Sequence, residues 1–189
     1  MNELAIEHGS EKQASLLLER TWASTSLPID PLQIASQLAI KVELESLEDG
    51  VLAAAVQSIN GAAMIYINQD FSALYQRYGC ALEIGALTYY WDSVPLDQRH
   101  DFTHVGRIFD FQVDPVQDLS NFDPFVDYEL HRFAQALLMP RQQLEPMIDQ
   151  KEAELNRTFS VPIFEAGQRI VEVVGSSSLF DEESNRRFE

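Results

Sequence analysis

The stretch Arg77-Tyr-Gly-Cys-Ala-Leu-Glu-Ile-Gly-Ala86 lies in the segment that decides the fold of this chain. That segment covers residues 70–91, contains no proline, starts with an aspartate and carries apolar side chains at helical spacing. An uninterrupted pattern of this length predicts one long helix. Within it, Glu83 stands between Leu82 and Ile84. Its carboxylate lies in a cavity, is bonded to Arg77 or His131, or is solvated.

Shorter segments on both sides of this helix predict further helices and a small sheet. The predicted helices cover residues 11–22, 31–38 and 124–139. The predicted strands, which alternate with period two or are uniformly apolar, cover residues 40–45, 51–58 and 63–68. Asp30 followed by Pro31 is typical of a helix start, and Ile59-Asn60-Gly61 is typical of a hairpin turn. Two consecutive hairpins predict a three-stranded antiparallel sheet, which needs helices packed on it to be stable. The expected class is therefore α+β.

The segments follow one another without a clear domain boundary. We expect one domain over residues 1–175, which includes a C-terminal helix pair at about 141–175, and a polar tail over residues 176–189. Residues 92–123 are irregular and rich in Asp, Pro and Phe. At this length they are more typical of a functional or partly structured loop than of a linker.

Composition excludes several classes of protein. The 189 residues include 13 Lys and Arg against 30 Asp and Glu, which gives a net charge of −17. So acidic a surface repels phosphate backbones, and we expect no direct binding of nucleic acid. A single cysteine, Cys80, excludes an internal disulfide framework. No apolar run is long enough to span a membrane, and the first residues lack the features of a signal peptide. The chain is expected to be cytoplasmic.

A second window, Asp127-Tyr-Glu-Leu-His-Arg-Phe-Ala-Gln-Ala-Leu-Leu-Met-Pro140, carries a resemblance when it is taken with the first. Together they resemble the ImmA/IrrE family of zinc-dependent endopeptidases, whose pattern has an AHE-x-GH helix followed by an E-x-E-A-N-x-F-A-x-x-LLMP helix. The segments 27–35 and 155–175 resemble the flanking parts of the same pattern. The resemblance covers about residues 24–175 and implies zincin-like helices packed on the small sheet, with a C-terminal helical extension.

The chain departs from this pattern where the family binds zinc. The two histidine positions hold Leu82 and Ala86, and only the glutamate, Glu83, is retained as a vestigial general base. The third ligand position falls on Asp127. Leucine and alanine have no lone pair to offer, and two carboxylates do not make the three-ligand site with an open position that this hydrolysis needs. We therefore expect no cofactor and no ordinary metallopeptidase activity.

Other histidines are candidate substitute ligands. His131 stands four residues after Asp127, on the same helix face, and His100 and His104 stand in the irregular segment. An alternative hypothesis is a divergent metal-dependent endopeptidase in which Glu83, Asp127, His131 and one of the other two hold zinc. The simpler interpretation is that His131 is a helix residue bonded to an acid, and that His100 and His104 are loop residues in water.

The favoured hypothesis is a catalytically degenerate ImmA/IrrE-type protein that acts by binding a protein. The resemblance implies a partner such as a helix-turn-helix regulator of the Xre type, in a mobile-element, stress-response or toxin–antitoxin setting. Active zincins pair a substrate peptide with an exposed strand edge. The edge predicted here consists of Met64, Ile65, Tyr66, Ile67 and Asn68. The acidic surface is compatible with masking a basic DNA-binding protein. A metal-independent activity of Glu83 and Asp127 as paired acids is a further hypothesis, without a recognisable substrate site.

Overall fold

A computed structural model describes residues 3–22, 24, 26–58, 61–107 and 124–186. For residues 3–8, 124–125 and 176–186 it describes the backbone alone. Two predicted features therefore lie outside the described residues: the central pair of the turn at 59–61 and the later half of the irregular segment, residues 108–123.

Two helices and three strands precede a long central helix, and a fourth strand and further helices follow it. In chain order the elements are α1 (Glu3–Thr21), α2 (Pro31–Gln37), β1 (Lys41–Glu45), β2 (Val51–Gln57), β3 (Ala63–Asn68), α3 (Ala73–Ser93), β4 (Phe102–Arg107), α4 (Pro124–Leu138), α5 (Arg141–Leu144), α6 (Glu152–Phe159) and α7 (Ile163–Arg186). Short 3-10 helices lie at Leu96–Gln98 and Glu145–Met147. The α+β class is confirmed, and the Asp30 carboxylate accepts a hydrogen bond from the Leu32 amide at the predicted start of α2.

The sheet differs from the predicted antiparallel meander in its strand count and its pairing. Over the described residues it has four strands, in the order β1-β3-β2-β4. β3 is antiparallel to β2, as a hairpin requires, but β1 runs parallel to β3. The fourth strand, β4, comes from the segment that was expected to be irregular, and it pairs antiparallel with β2.

Burial explains why β2 takes a central place in the sheet and β1 an edge. In β2, Val51, Leu52, Ala53 and Ala55 are buried, so both sides of this strand need cover. The residues of β1 are at least partly exposed throughout, and a polar strand of this kind tolerates an open edge. β3 is consequently an inner strand, hydrogen-bonded to β1 on one side and to β2 on the other. The prediction of a peptide-binding edge at Met64, Ile65, Tyr66, Ile67 and Asn68 is therefore wrong.

The central helix α3 connects the sheet to the remaining helices. One side of α3 packs on β2, β3 and β4, and α4 packs on another side. Gly85 permits the close approach of the two helices, since a methyl group there would lie 2.7 Å from the Cδ1 atom of Phe133. α1 packs against α4. Leu82, Ile84 and Leu87 of α3 are all buried in this core.

The C-terminal helix α7 continues to Arg186, past residue 175 where the polar tail was expected to start. Within the described ranges, we found no helix with the length and apolar character that a membrane crossing requires.

Candidate functional site

Three side chains from three different elements meet beneath the edge of the sheet. Glu83 comes from the middle of α3, His104 from β4 and Asp127 from the first turn of α4. The Glu83 side chain is fully buried, whereas those of His104 and Asp127 are 15% and 20% exposed. The packing of α3 against both β4 and α4 brings these residues together.

The imidazole of His104 lies between the two carboxylates. Its Nδ1 atom is 2.9 Å from Oε2 and 3.1 Å from Oε1 of Glu83. Its Nε2 atom is 3.3 Å from Oδ1 of Asp127. An ionised carboxylate is an acceptor only, so an imidazole that bonds to carboxylates through both nitrogens has to donate through both. With both carboxylates ionised, this arrangement requires the protonated, positively charged form of His104.

The pKa of His104 agrees with that assignment. Burial lowers this pKa, but the hydrogen bonds and charges of Asp127 and Glu83 outweigh it and raise it to about 9. Burial raises the pKa of Glu83 above its ordinary value, although His104 and the backbone amides of Gly106 and Ala55 act to lower it. The raised pKa of His104 favours its positively charged form at neutral pH.

Gly106 completes the surroundings of Glu83. Its amide donates to Oε1 of Glu83 over 2.8 Å. A side chain cannot be accommodated at this position, because a methyl group would touch Leu82 and come within 2.6 Å of Oε1 of Glu83. The glycine lets the strand approach α3 closely enough for its backbone to bond the carboxylate.

We expect Gly106→Ala to lower the free energy of unfolding by about 1–3 kcal/mol, the usual cost of forcing an extra methyl group into a packed site. Urea unfolding of the two proteins measures the difference. Gly9→Ala in α1 is the matched control, since nothing lies within 4 Å of the added methyl group. It is expected to leave stability unchanged or raise it by up to about 1 kcal/mol. Equal stability of G106A and the wild type would contradict this account of Glu83.

The other two candidate histidines differ in exposure: His131 is buried and His100 is exposed. His131 is buried in α4, and its Nδ1 atom lies 2.8 Å from the hydroxyl of Tyr78. Burial lowers the pKa of His131 to about 4, against the charge of Asp127 and a hydrogen bond with the backbone of Arg107, which raise it. His100 precedes β4 and is exposed, as predicted. The prediction that His104 is a loop residue in water is wrong, because β4 carries it inward to Glu83.

The residues present do not fit a zinc ion in the way the resemblance implies. Leu82 and Ala86, at the positions of the family's histidines, are 1% and 3% exposed and belong to the hydrophobic core. A histidine binds a metal through a lone pair on a ring nitrogen, and both nitrogens of His104 are engaged with carboxylates. A metal at Glu83 and Asp127 would require His104 to leave its place between them.

Comparison with known proteins does not assign the chain to a family. No protein-family model matches it, and no curated protein matches it either.

Proposed function

We propose that this chain is a metallopeptidase-like protein without metal chemistry, which acts in the cytoplasm by binding a protein partner. The observation that carries the proposal is the position of His104 between Glu83 and Asp127. A side-chain cation from the chain itself stands between the two carboxylates that the zincin pattern places around a metal. Without a metal, the site lacks a means of lowering the pKa of a water molecule for Glu83 to use.

Two observations support the zincin-like part of this proposal. The helices α3 and α4, which carry the two motifs of the resemblance, pack directly on each other. The retained glutamate of the first motif and the acidic residue of the second contact the same imidazole. The proposed partner is a helix-turn-helix regulator of the Xre type, and the net charge of −17 favours association with such a basic protein.

The proposed binding edge is β4. Among the strands described here, β4 pairs with β2 alone and forms one end of the sheet. Thr103 and Val105 are exposed on this strand, and Val105 exposes 41% of its surface. An extended segment of a partner can add to such an edge through backbone hydrogen bonds, with alternate side chains giving specificity.

The test uses the purified full chain and a purified Xre-type regulator from the same genome. Calorimetric titration at low salt, with and without EDTA, measures binding, and gel electrophoresis of the same mixtures detects cleavage. We expect stoichiometric binding, an intact regulator and no effect of EDTA.

Val105→Lys is expected to weaken the binding at least tenfold. Its matched control is Leu44→Lys on the other edge strand, where Leu44 is 59% exposed. Both variants change the net charge equally, so weaker binding of the regulator by Val105→Lys than by Leu44→Lys would indicate a role of β4. Absence of binding at low salt would refute the proposed partner. Cleavage that EDTA abolishes would instead establish the alternative, a divergent metallo-endopeptidase.

A further inference from the structure

The C-terminal helix α7 presents an unusual distribution of polar and apolar side chains. Helices on a protein surface ordinarily turn apolar residues to the core and charged residues to water. In α7 between Ile163 and Gly175, the charged residues are buried or partly buried, whereas four large apolar residues are exposed. These four, here called the outer face, are Ile163 (53% exposed), Phe164 (47%), Val171 (72%) and Val174 (47%).

The inward charges have specific structural partners. Arg169 is fully buried; its Nε atom donates to the carbonyl of Met139 over 3.1 Å, and its Nη2 atom lies 2.6 Å from Glu11. Glu165 is 4% exposed and accepts a hydrogen bond from Gln135 over 2.7 Å. These interactions fix the rotation of α7 about its axis. The outer face is therefore held outward by buried polar contacts.

The outer face forms one continuous strip. At 100° per residue, the four apolar positions fall on one side of the helix, together with Gly167 and Gly175. No charged side chain of α7 itself interrupts them, since the other exposed residues of this part of the helix are Gln168 and Gly175. An apolar strip about three turns long, on a chain of net charge −17, has the features of an interaction surface.

A carboxylate from the neighbouring helix lies beside the strip at Gly167. A methyl group built on Gly167 would lie 3.5 Å from the Oε1 atom of Glu152, which belongs to the neighbouring helix α6. Glu152 is exposed and forms no ion pair with the residues that the structure describes. A second copy of the chain would bring another such carboxylate and another charge of −17 to the contact. A partner with basic residues beside its apolar stripe would pair with Glu152 instead.

We infer that the outer face of α7 docks an amphipathic helix of another protein, whose apolar stripe is flanked by lysine or arginine. The partner's apolar side chains cover Phe164, Val171 and Val174, and its basic flank lies beside Glu152. This surface is separate from β4, and the inference does not depend on the function proposed for that edge.

The test uses two labelled synthetic peptides of about 18 residues, long enough to form a helix on a surface. One has a leucine stripe flanked by lysine, and the other has the same stripe flanked by glutamate. Fluorescence anisotropy at physiological salt measures their binding to the full chain. We expect the lysine peptide to bind at least tenfold more tightly than the glutamate peptide.

Variants separate docking from general attraction to an acidic protein. The double variant Val171→Ser with Val174→Ser keeps the net charge and is expected to weaken the lysine peptide at least tenfold. Glu152→Gln is expected to weaken it severalfold. Leu96→Ser is the matched control, because Leu96 is 79% exposed outside α7.

Val105→Lys, the variant that tests β4, is expected to weaken binding of the lysine peptide no more than Leu44→Lys does. These two variants distinguish failure of this inference from failure of the proposed function.

Three results would overturn the inference. Binding of the lysine peptide that the double serine variant does not weaken would show diffuse charge attraction. A dimer in sedimentation equilibrium that the same variant dissociates would identify a second copy as the occupant. Failure of both peptides to bind would show that the outer face does not accept an amphipathic helix.

Discussion

Replacement of His104 by alanine is expected to lower the free energy of unfolding by about 3–5 kcal/mol, the usual cost of removing one partner of a buried ion pair. The cost arises because Glu83 is fully buried and would lose the cation on which its charge depends. The backbone amides of Gly106 and Ala55 would remain as hydrogen-bond donors to its carboxylate. Two neutral donors do not balance a buried negative charge.

Urea unfolding of the wild type and the variant measures this loss. His100→Ala is the matched control, since it removes an imidazole from an exposed position four residues away. It is expected to change stability by less than about 0.5 kcal/mol, as surface substitutions usually do. Should H104A unfold completely, His104→Gln retains one donor and gives a smaller, measurable loss.

A second substitution isolates the role of charge. In the H104A background, Glu83→Gln replaces the unpaired carboxylate by a neutral amide and is expected to restore part of the lost stability. In the wild-type background the same substitution breaks the pair and destabilises. A further loss from E83Q in the H104A background would show that Glu83 is stabilised by something other than His104.

The helices of this site could be predicted from local sequence, whereas the contacts within it could not. The long proline-free pattern around Glu83 and the helix that begins at Pro124 were both predicted, because helical periodicity is a local signal. That Leu82 and Ala86 stand at the two histidine positions of the family pattern follows from reading the residues in order, but their burial required the structure. Both residues belong to the hydrophobic core and are not members of the cluster of Glu83, His104 and Asp127.

The strand that supplies His104 was not predicted from the sequence. The segment Phe102–Arg107 alternates between inward and outward side chains, but its inward positions hold a phenylalanine, a histidine and a glycine. Such a set does not form the apolar alternation by which a half-buried strand is recognised.

The pairing of the strands could not be predicted for a different reason. Each strand that was predicted exists, but the parallel pairing of β1 with β3 joins segments separated by the whole of β2. Turn residues favour pairing between consecutive strands. They contain no information about which strand pairs with the outer edge of the hairpin that β2 and β3 form. β4 occupies the remaining side of β2, so the open edge beside the site belongs to β4 rather than to β3.

Stability is expected to fall as the pH rises from 6.5 to about 9, because His104 has a higher pKa in the folded chain than in the unfolded chain. The ordinary value of 6.5 applies to the unfolded chain, and the folded value is about 9. Between these values the folded state binds more protons, so each rise in pH favours unfolding. The contribution is complete below pH 6.5 and amounts to about 3 kcal/mol at most.

His131 has the opposite effect in a lower pH range. Its pKa in the folded chain is about 4, below the ordinary value of 6.5, so the unfolded state binds more protons between these values. Its contribution is present above pH 6.5 and is lost as the pH falls toward 4. The raised pKa values of Glu83 and Glu165 act against this trend in the acid range. The alkaline range therefore gives the clearer measurement of a single histidine.

Urea unfolding at intervals between pH 6 and pH 8.5 measures the alkaline decline, and two variants assign it. This range ends below the pH at which the Cys80 thiol, whose pKa burial raises in the folded chain, ionises in the unfolded chain. His104→Gln has no titratable group at this position, so its stability is expected to change little across the same range. His131→Gln is the matched control and is expected to retain the decline, since His131 is already neutral above pH 6.5. A decline that persists in H104Q would mean that another group titrates there, and that His104 does not carry the positive charge between Glu83 and Asp127.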